Sequence, residues 1–171
     1  MTDAAPHPTQ IRLSLSSEEA TTRLASRISS MLKAGDTLLI SGPIGAGKTH
    51  FCRSLIQSRL AAEGRMEDVP SPTYTLVQVY ELDGIDIWHA DLYRLTDPAD
   101  ILELGLGEAF DTAICLVEWP DRLGPEQPAD ALQLDMEAGE HNTSRVLTIS
   151  ASNRRWAPVI AEIAAFQAAL A

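Results

Sequence analysis

Eight consecutive residues, Gly42-Pro43-Ile44-Gly45-Ala46-Gly47-Lys48-Thr49, carry the spacing Gly-x-x-x-x-Gly-Lys-Thr. A loop that wraps a polyphosphate must present successive backbone N–H groups to it. Glycines are needed where a side chain would collide or where φ must be positive. Lys48 adds a positive charge and Thr49 a hydroxyl suited to Mg²⁺, while a helix starting here aims its free N–H groups and positive dipole end at an anion. This chemistry is phosphate binding.

Two carboxylates sit where β-rich runs end: Asp91 after Ile85 to Ala90, and Glu118 after Ile114 to Val117. In open α/β sheets ligands gather at the carboxyl ends of parallel strands. A carboxylate there reaches a metal or a water beside a terminal phosphate. Glu118 is the metal-side candidate in a Walker B role, and Asp91 the second. Ser71-Pro72-Thr73 is a Pro-rich connector or a switch loop in which a rigid proline presents Thr73 to a phosphate. His89 is read as structural rather than as a proton carrier, and Trp119 as core or rim packing.

The elements that must position these groups follow from periodicity and punctuation. Residues 1–9 read as a frayed leader and Ile11 to Leu15 as a half-buried strand. Ser16 and Glu19 form a capping-box pair opening a helix with the apolar face Leu24, Ile28, Met31 and Leu32, ended by Gly35. Thr37 to Ser41 is a buried strand, and Thr49 to Leu60 has helical apolar spacing. Val69 to Thr73 is an extended loop because two prolines remove donors. Tyr74 to Leu82 and Ile85 to Ala90 are strands joined by the hairpin signal Asp83-Gly84. Asp97-Pro98 starts a helix, Pro120 to Pro128 is a loop, and Ala131 to Met136 with Val146 to Ser150 form a closing strand pair. Val159, Ile163, Phe166 and Leu170 line one face of an amphipathic helix over 157–171. The expected fold is α/β, a P-loop NTPase-like three-layer sandwich with a mixed, partly antiparallel central sheet, in a single domain over 1–171.

The chain has 171 residues, 45% hydrophobic, with a formal charge of −11. Nucleic acid is bound chiefly through clustered Lys and Arg, so any contact with RNA is expected to be indirect or weak. Cys52 and Cys115 lack metal-ligand spacing and read as buried thiols. No segment is long and apolar enough to cross a membrane and no signal peptide opens the chain, so the cytoplasm is the expected location. There is no Asn-Lys-x-Asp motif for reading guanine and no arginine-rich lid typical of small-molecule kinases, Pro120 to Pro128 offering only Arg122.

The phosphate loop, Ser71-Pro72-Thr73-Tyr74-Thr75-Leu76-Val77, His89-Ala90-Asp91-Leu92-Tyr93-Arg94-Leu95, Glu103-Leu104-Gly105 and Glu118-Trp119-Pro120 occur in the order and spacing of one family. Over roughly residues 11 to 150 the chain resembles the TsaE family, the ATPase component of bacterial tRNA threonylcarbamoyladenosine biosynthesis. The resemblance implies a P-loop ATPase with ATP and Mg²⁺ as cofactors, working with the TsaB and TsaD proteins to let their complex turn over. By position it implies nucleotide contacts from Gly42, Gly45, Ala46, Gly47, Lys48, Thr49, His50, Thr73 and Asp91, with weaker ones from Glu18 and Arg145. It also implies Mg²⁺ at Thr49 and Glu118, and catalytic roles for Lys48, Asp91 and Glu118. Pro43 and His50 depart from the family, which usually has aspartate and a second threonine there. The alternatives are a small-molecule kinase of the P-loop class and a nucleotide-gated protein-binding module.

Overall fold

The computed structural model describes residues 9–170. Seven strands form one sheet, in the order β1-β7-β6-β2-β5-β4-β3. They are β1 (Thr9–Leu15), β2 (Thr37–Ser41), β3 (Val77–Leu82), β4 (Ile85–Asp91), β5 (Ile114–Glu118), β6 (Leu132–Ala138) and β7 (Arg145–Ala151). The central strands β6, β2, β5 and β4 are parallel, and antiparallel partners flank them on both sides. The expected α/β class with a mixed sheet is observed.

The alternation of buried residues assigns the helices to the two faces. Leu38, Ile40, Ile114 and Leu116 pack with residues of α1 (Glu18–Ser29), α2 (Lys48–Ala62) and α5 (Ala157–Leu170). Leu39 and Val117 point the other way, into a smaller core with Ile101 of α3 (Asp100–Leu104) and Leu106 of α4 (Leu106–Thr112). β2 and β5 are apolar on both sides because both sides are covered, as buried parallel strands require.

Several boundaries differ from the sequence expectation, each for a local reason. Thr9, placed in the leader, pairs with Ala151 as the first residue of β1; the rest of that leader lies outside the described residues. The α1 cap is Ser17, not Ser16: its backbone is extended and its hydroxyl accepts the Ala20 N–H at 3.1 Å. α1 stops at Ser29, and Gly35 instead supports the following turn with φ +88°. β3 starts at Val77 rather than Tyr74, because Leu76 takes the left-handed region (φ +66°) and donates its N–H to the Pro72 carbonyl. The helix expected from Asp97 is split into α3 and α4 by Gly105. Pro120–Glu126 forms 3-10 turns rather than an irregular loop. Leu170 is exposed, outside the buried stripe of Val159, Ile163 and Phe166. The Asp83-Gly84 hairpin forms as expected, pairing Leu82 with Ile85.

Helix α5 is part of the same core. Val159, Ile163 and Phe166 are buried, the Gln167 amide donates to the Arg12 carbonyl on β1, and Arg27 of α1 meets Glu162 at 2.9 Å. Just before it, Arg155 bridges Asp36 and Asp130, and the Trp156 indole donates to the Asp130 carbonyl.

Candidate functional site

The loop carrying Gly42 to Thr49 joins β2 to α2 at the carboxyl end of the parallel strands. Gly47 caps α2 in the left-handed region (φ +98°), so the helix starts at Lys48 with its first-turn N–H groups free of intrahelical partners. Gly42 is sterically required, and Gly47 is crowded as well as left-handed. A Cβ on Gly42 would overlap the Met136 carbonyl of β6, and one on Gly47 would lie 3.1 Å from Arg145 Nε.

Lys48 is 5% exposed. Its ammonium donates to the carbonyls of Gly42 (2.7 Å) and Pro43 (2.9 Å) and lies 4.3 Å from the centre of the Trp119 ring. Burial holds its pKa below the usual lysine value, against the raising pull of Glu118 and Asp91. A cation this poorly solvated gains strongly from an arriving anion.

Glu118 ends β5 beside the loop strand, paired in register with Ile40, and is 1% exposed. The Thr49 hydroxyl donates to its Oε1 at 2.8 Å, and His89 Nε2 donates to its Oε2 at 2.7 Å. Asp91 ends β4 directly opposite Glu118. One Asp91 oxygen accepts the Tyr93 N–H at 3.1 Å, and burial raises its carboxyl above the usual range. Thr49 and Glu118 present hard oxygens side by side, the donor type that Mg²⁺ takes.

Ile44, Gly45, Gly47, Lys48, Thr49, His50, Thr73, Asp91, Tyr93, Glu118 and Trp119 line one open cleft of about 380 Å³. That volume is ordinary for a small-molecule site, roughly 300–1,000 Å³. The structure therefore gathers Gly45, Gly47, Lys48, Thr49, His50, Thr73, Asp91 and Glu118 around one space. Ala46 is buried inside the loop and Gly42 stands at its root. Arg145, on β7, packs against the loop's rim, with one guanidinium nitrogen 3.4 Å from the Gly45 carbonyl. Glu18 lies outside the cleft and touches it only through its carbonyl, 3.4 Å from His50 Nε2. The same His50 nitrogen is 3.2 Å from the Thr22 hydroxyl, so the departure at position 50 ties α1 to the first turn of α2.

Three residues add to the expected set. Tyr93 packs on Trp119 with ring centres 4.9 Å apart, forming an aromatic wall over Lys48. Trp119 itself adopts the left-handed region at φ +58°, which turns the chain sharply after Glu118. His89, read from sequence as a structural histidine, is fully buried against Glu118. Its signal in the sequence is a histidine within a β-rich run, two positions before a strand-end acid.

A family model for "Threonylcarbamoyl adenosine biosynthesis protein TsaE" matches residues 15–147. A Rickettsia conorii protein named tRNA threonylcarbamoyladenosine biosynthesis protein TsaE is 38% identical over 128 residues, 75% of this chain and 71% of that one. The Bacillus subtilis protein of the same name is 31% identical over 147 residues, 85% of this chain and 88% of that one. The crystal structure of Bacillus subtilis YdiB superposes with a TM-score of 0.76 at 25% identity, covering 93% of this chain and 97% of that one. With its family-model match extending from the end of β1 into β7, the chain belongs to the TsaE family of threonylcarbamoyladenosine biosynthesis proteins.

Proposed function

We propose that this protein is a Mg²⁺-dependent ATPase of tRNA threonylcarbamoyladenosine biosynthesis, acting with TsaB and TsaD so that their complex can turn over. The observation that carries this reading is the placement of Lys48, Thr49, Asp91 and Glu118 around one cleft at the ends of parallel strands.

The loop N–H groups and the α2 N-terminus bind the phosphates, and Lys48 leaves its carbonyl acceptors to pair with them. Mg²⁺, held by Thr49 and Glu118, would neutralise charge on the phosphate oxygens. Asp91 has one oxygen held by the Tyr93 N–H, leaving the other to orient the attacking water. Burial makes it a stronger base than an exposed aspartate. Thr73, which lines the same cleft and whose hydroxyl meets that of Ser71 at 2.7 Å, would answer the presence of the terminal phosphate.

Phosphoryl transfer to a metabolite would need an acceptor pocket beside the cleft. The small-molecule kinase alternative predicts phosphoryl transfer to a metabolite without a protein partner, whereas the ATPase reading predicts phosphate release to water. The test is equilibrium binding of a fluorescent ATP analogue together with phosphate release. Lys48→Ala is expected to lose binding, whereas Glu118→Ala keeps binding and loses release. Full phosphate release by both variants would overturn the reading.

A further inference from the structure

His89 has no exposed surface and sits on β4 in register with Leu116 of β5, two residues from the Asp91 and Glu118 pair. Its Nε2 faces Glu118 Oε2 at 2.7 Å, while its Nδ1 is buried with no hydrogen-bond partner among the described residues. A carboxylate accepts, so Nε2 carries a proton and donates to it. The thiol of Cys52, on α2, closes this pocket: the sulfur, an imidazole nitrogen and a Glu118 oxygen lie within 4.8 Å of one another.

Each Glu118 oxygen therefore has one side-chain donor, Thr49 from α2 and His89 from β4. The last torsion of a glutamate is broad and roughly two-fold, so one donor alone leaves the carboxylate plane free to turn. The second donor fixes it. Removing that donor also strands a buried oxygen, a further reason for the group to rotate.

We propose that His89 is a positioning residue that acts through Glu118, holding the carboxylate so that Oε1 stays on the Thr49 hydroxyl for the metal and the phosphates. This inference rests on the nucleotide-hydrolysis reading and adds to it a residue that does not line the cleft.

Gln at this position retains an N–H donor near Nε2, whereas Asn places its amide on the Nδ1 side and cannot reach Glu118. His89→Asn is expected to lower partner-stimulated turnover about 10- to 100-fold, as loss of an outer-shell hydrogen bond typically does. It should raise the Mg²⁺ concentration needed for half activity and leave Mg²⁺-free nucleotide affinity unchanged. His89→Gln restores most of the loss. Combined with Glu118→Ala, His89→Asn adds no further loss. Equal activity of the Asn and Gln variants, or additive losses in the double variant, would overturn the proposal.

A second readout does not depend on hydrolysis: the enhancement by Mg²⁺ of binding of a fluorescent non-hydrolysable ATP analogue. Its loss in His89→Asn but not His89→Gln supports positioning even if wild-type protein proves inactive, an outcome that would sink the hydrolysis reading alone. Equal enhancement in both variants overturns the positioning role. A third needs no substitution at His89. ¹⁵N NMR of the wild-type imidazole should show the proton on Nε2, and a proton on Nδ1 alone would refute the idea.

Discussion

Asp91 and Glu118 close neighbouring parallel strands at the same level of the sheet, and the Leu92 N–H donates to the Glu118 carbonyl just beyond them. The nearby Glu118 adds to the burial that holds the Asp91 carboxyl up, and the two acids differ in their partners. Glu118 is hydrogen-bonded on both oxygens by Thr49 and His89, whereas Asp91 accepts the Tyr93 N–H on one oxygen. Glu118→Gln and Asp91→Asn should each slow phosphate release by about 10²-fold or more, the range for a positioned acid–base or charge-stabilising group. Nucleotide affinity should change only a few-fold in either. A variant that loses affinity in proportion to rate would assign that residue to ground-state binding.

The loop glycines can be ranked. Gly45 (φ +82°) has open space where a Cβ would go, so Gly45→Ala carries only the left-handed penalty, roughly 1–2 kcal/mol. Gly47 carries that penalty and also meets Arg145. Gly47→Ala should therefore cost more in denaturant stability, and Arg145→Ala should recover part of the difference. Strict additivity of the two substitutions would show that the contact with Arg145 does not constrain the loop.

Both cysteines are buried thiols, as their places in core elements and the lack of metal-ligand spacing suggested. Burial pushes the Cys115 thiol up to about 12 and the Cys52 thiol well above its usual value. The native state therefore holds these protons more tightly than the unfolded chain. Stability is unaffected below the unfolded thiol pKa, near 9.0, and falls as pH rises from there towards the folded values. The slope is at most about 1.4 kcal/mol per pH unit for each thiol. Native protein should be inert to a thiol reagent at pH 8 and titrate two thiols when unfolded. Cys115→Ala should flatten the alkaline fall between pH 9 and 11, and an unchanged slope would count against the assignment.

Helix α5 lies beyond the segment matched by the family model, yet its buried face completes the core over α1 and β1. Phe166→Ala should destabilise the protein by about 3 kcal/mol or more, as aromatic truncations in cores do. Glu162→Ala, which removes only an exposed ion pair with Arg27, should cost under about 1 kcal/mol. Equal midpoints for Phe166→Ala and wild type would mean that α5 does not contribute to the fold in solution.

Where function imposes a local pattern, the sequence was readable. Gly42 to Thr49 announced the loop, Asp83-Gly84 the hairpin, and the acids after apolar runs the strand ends. What escaped depends on register between distant segments. His89 and Glu118 are 29 residues apart, and only the parallel pairing of β4 with β5 brings them together. Likewise, the late start of β3 rests on Leu76 in a conformation that leucine rarely takes. The turn is held by the Pro72 carbonyl, and the Leu76 carbonyl accepts the Asp91 N–H. Ser16 and Ser17 are equivalent as caps by type, and the choice of Ser17 follows from where β1 ends.

The most direct test is ATP hydrolysis by the purified protein with Mg²⁺, measured alone and with the TsaB and TsaD proteins of the same organism, with Glu118→Ala as the control. The expected result is slow turnover alone, a marked rise when both partners are present, and loss of that rise in the variant. Turnover that is the same with and without partners, or that survives in Glu118→Ala, would contradict a partner-activated ATPase built on this cleft.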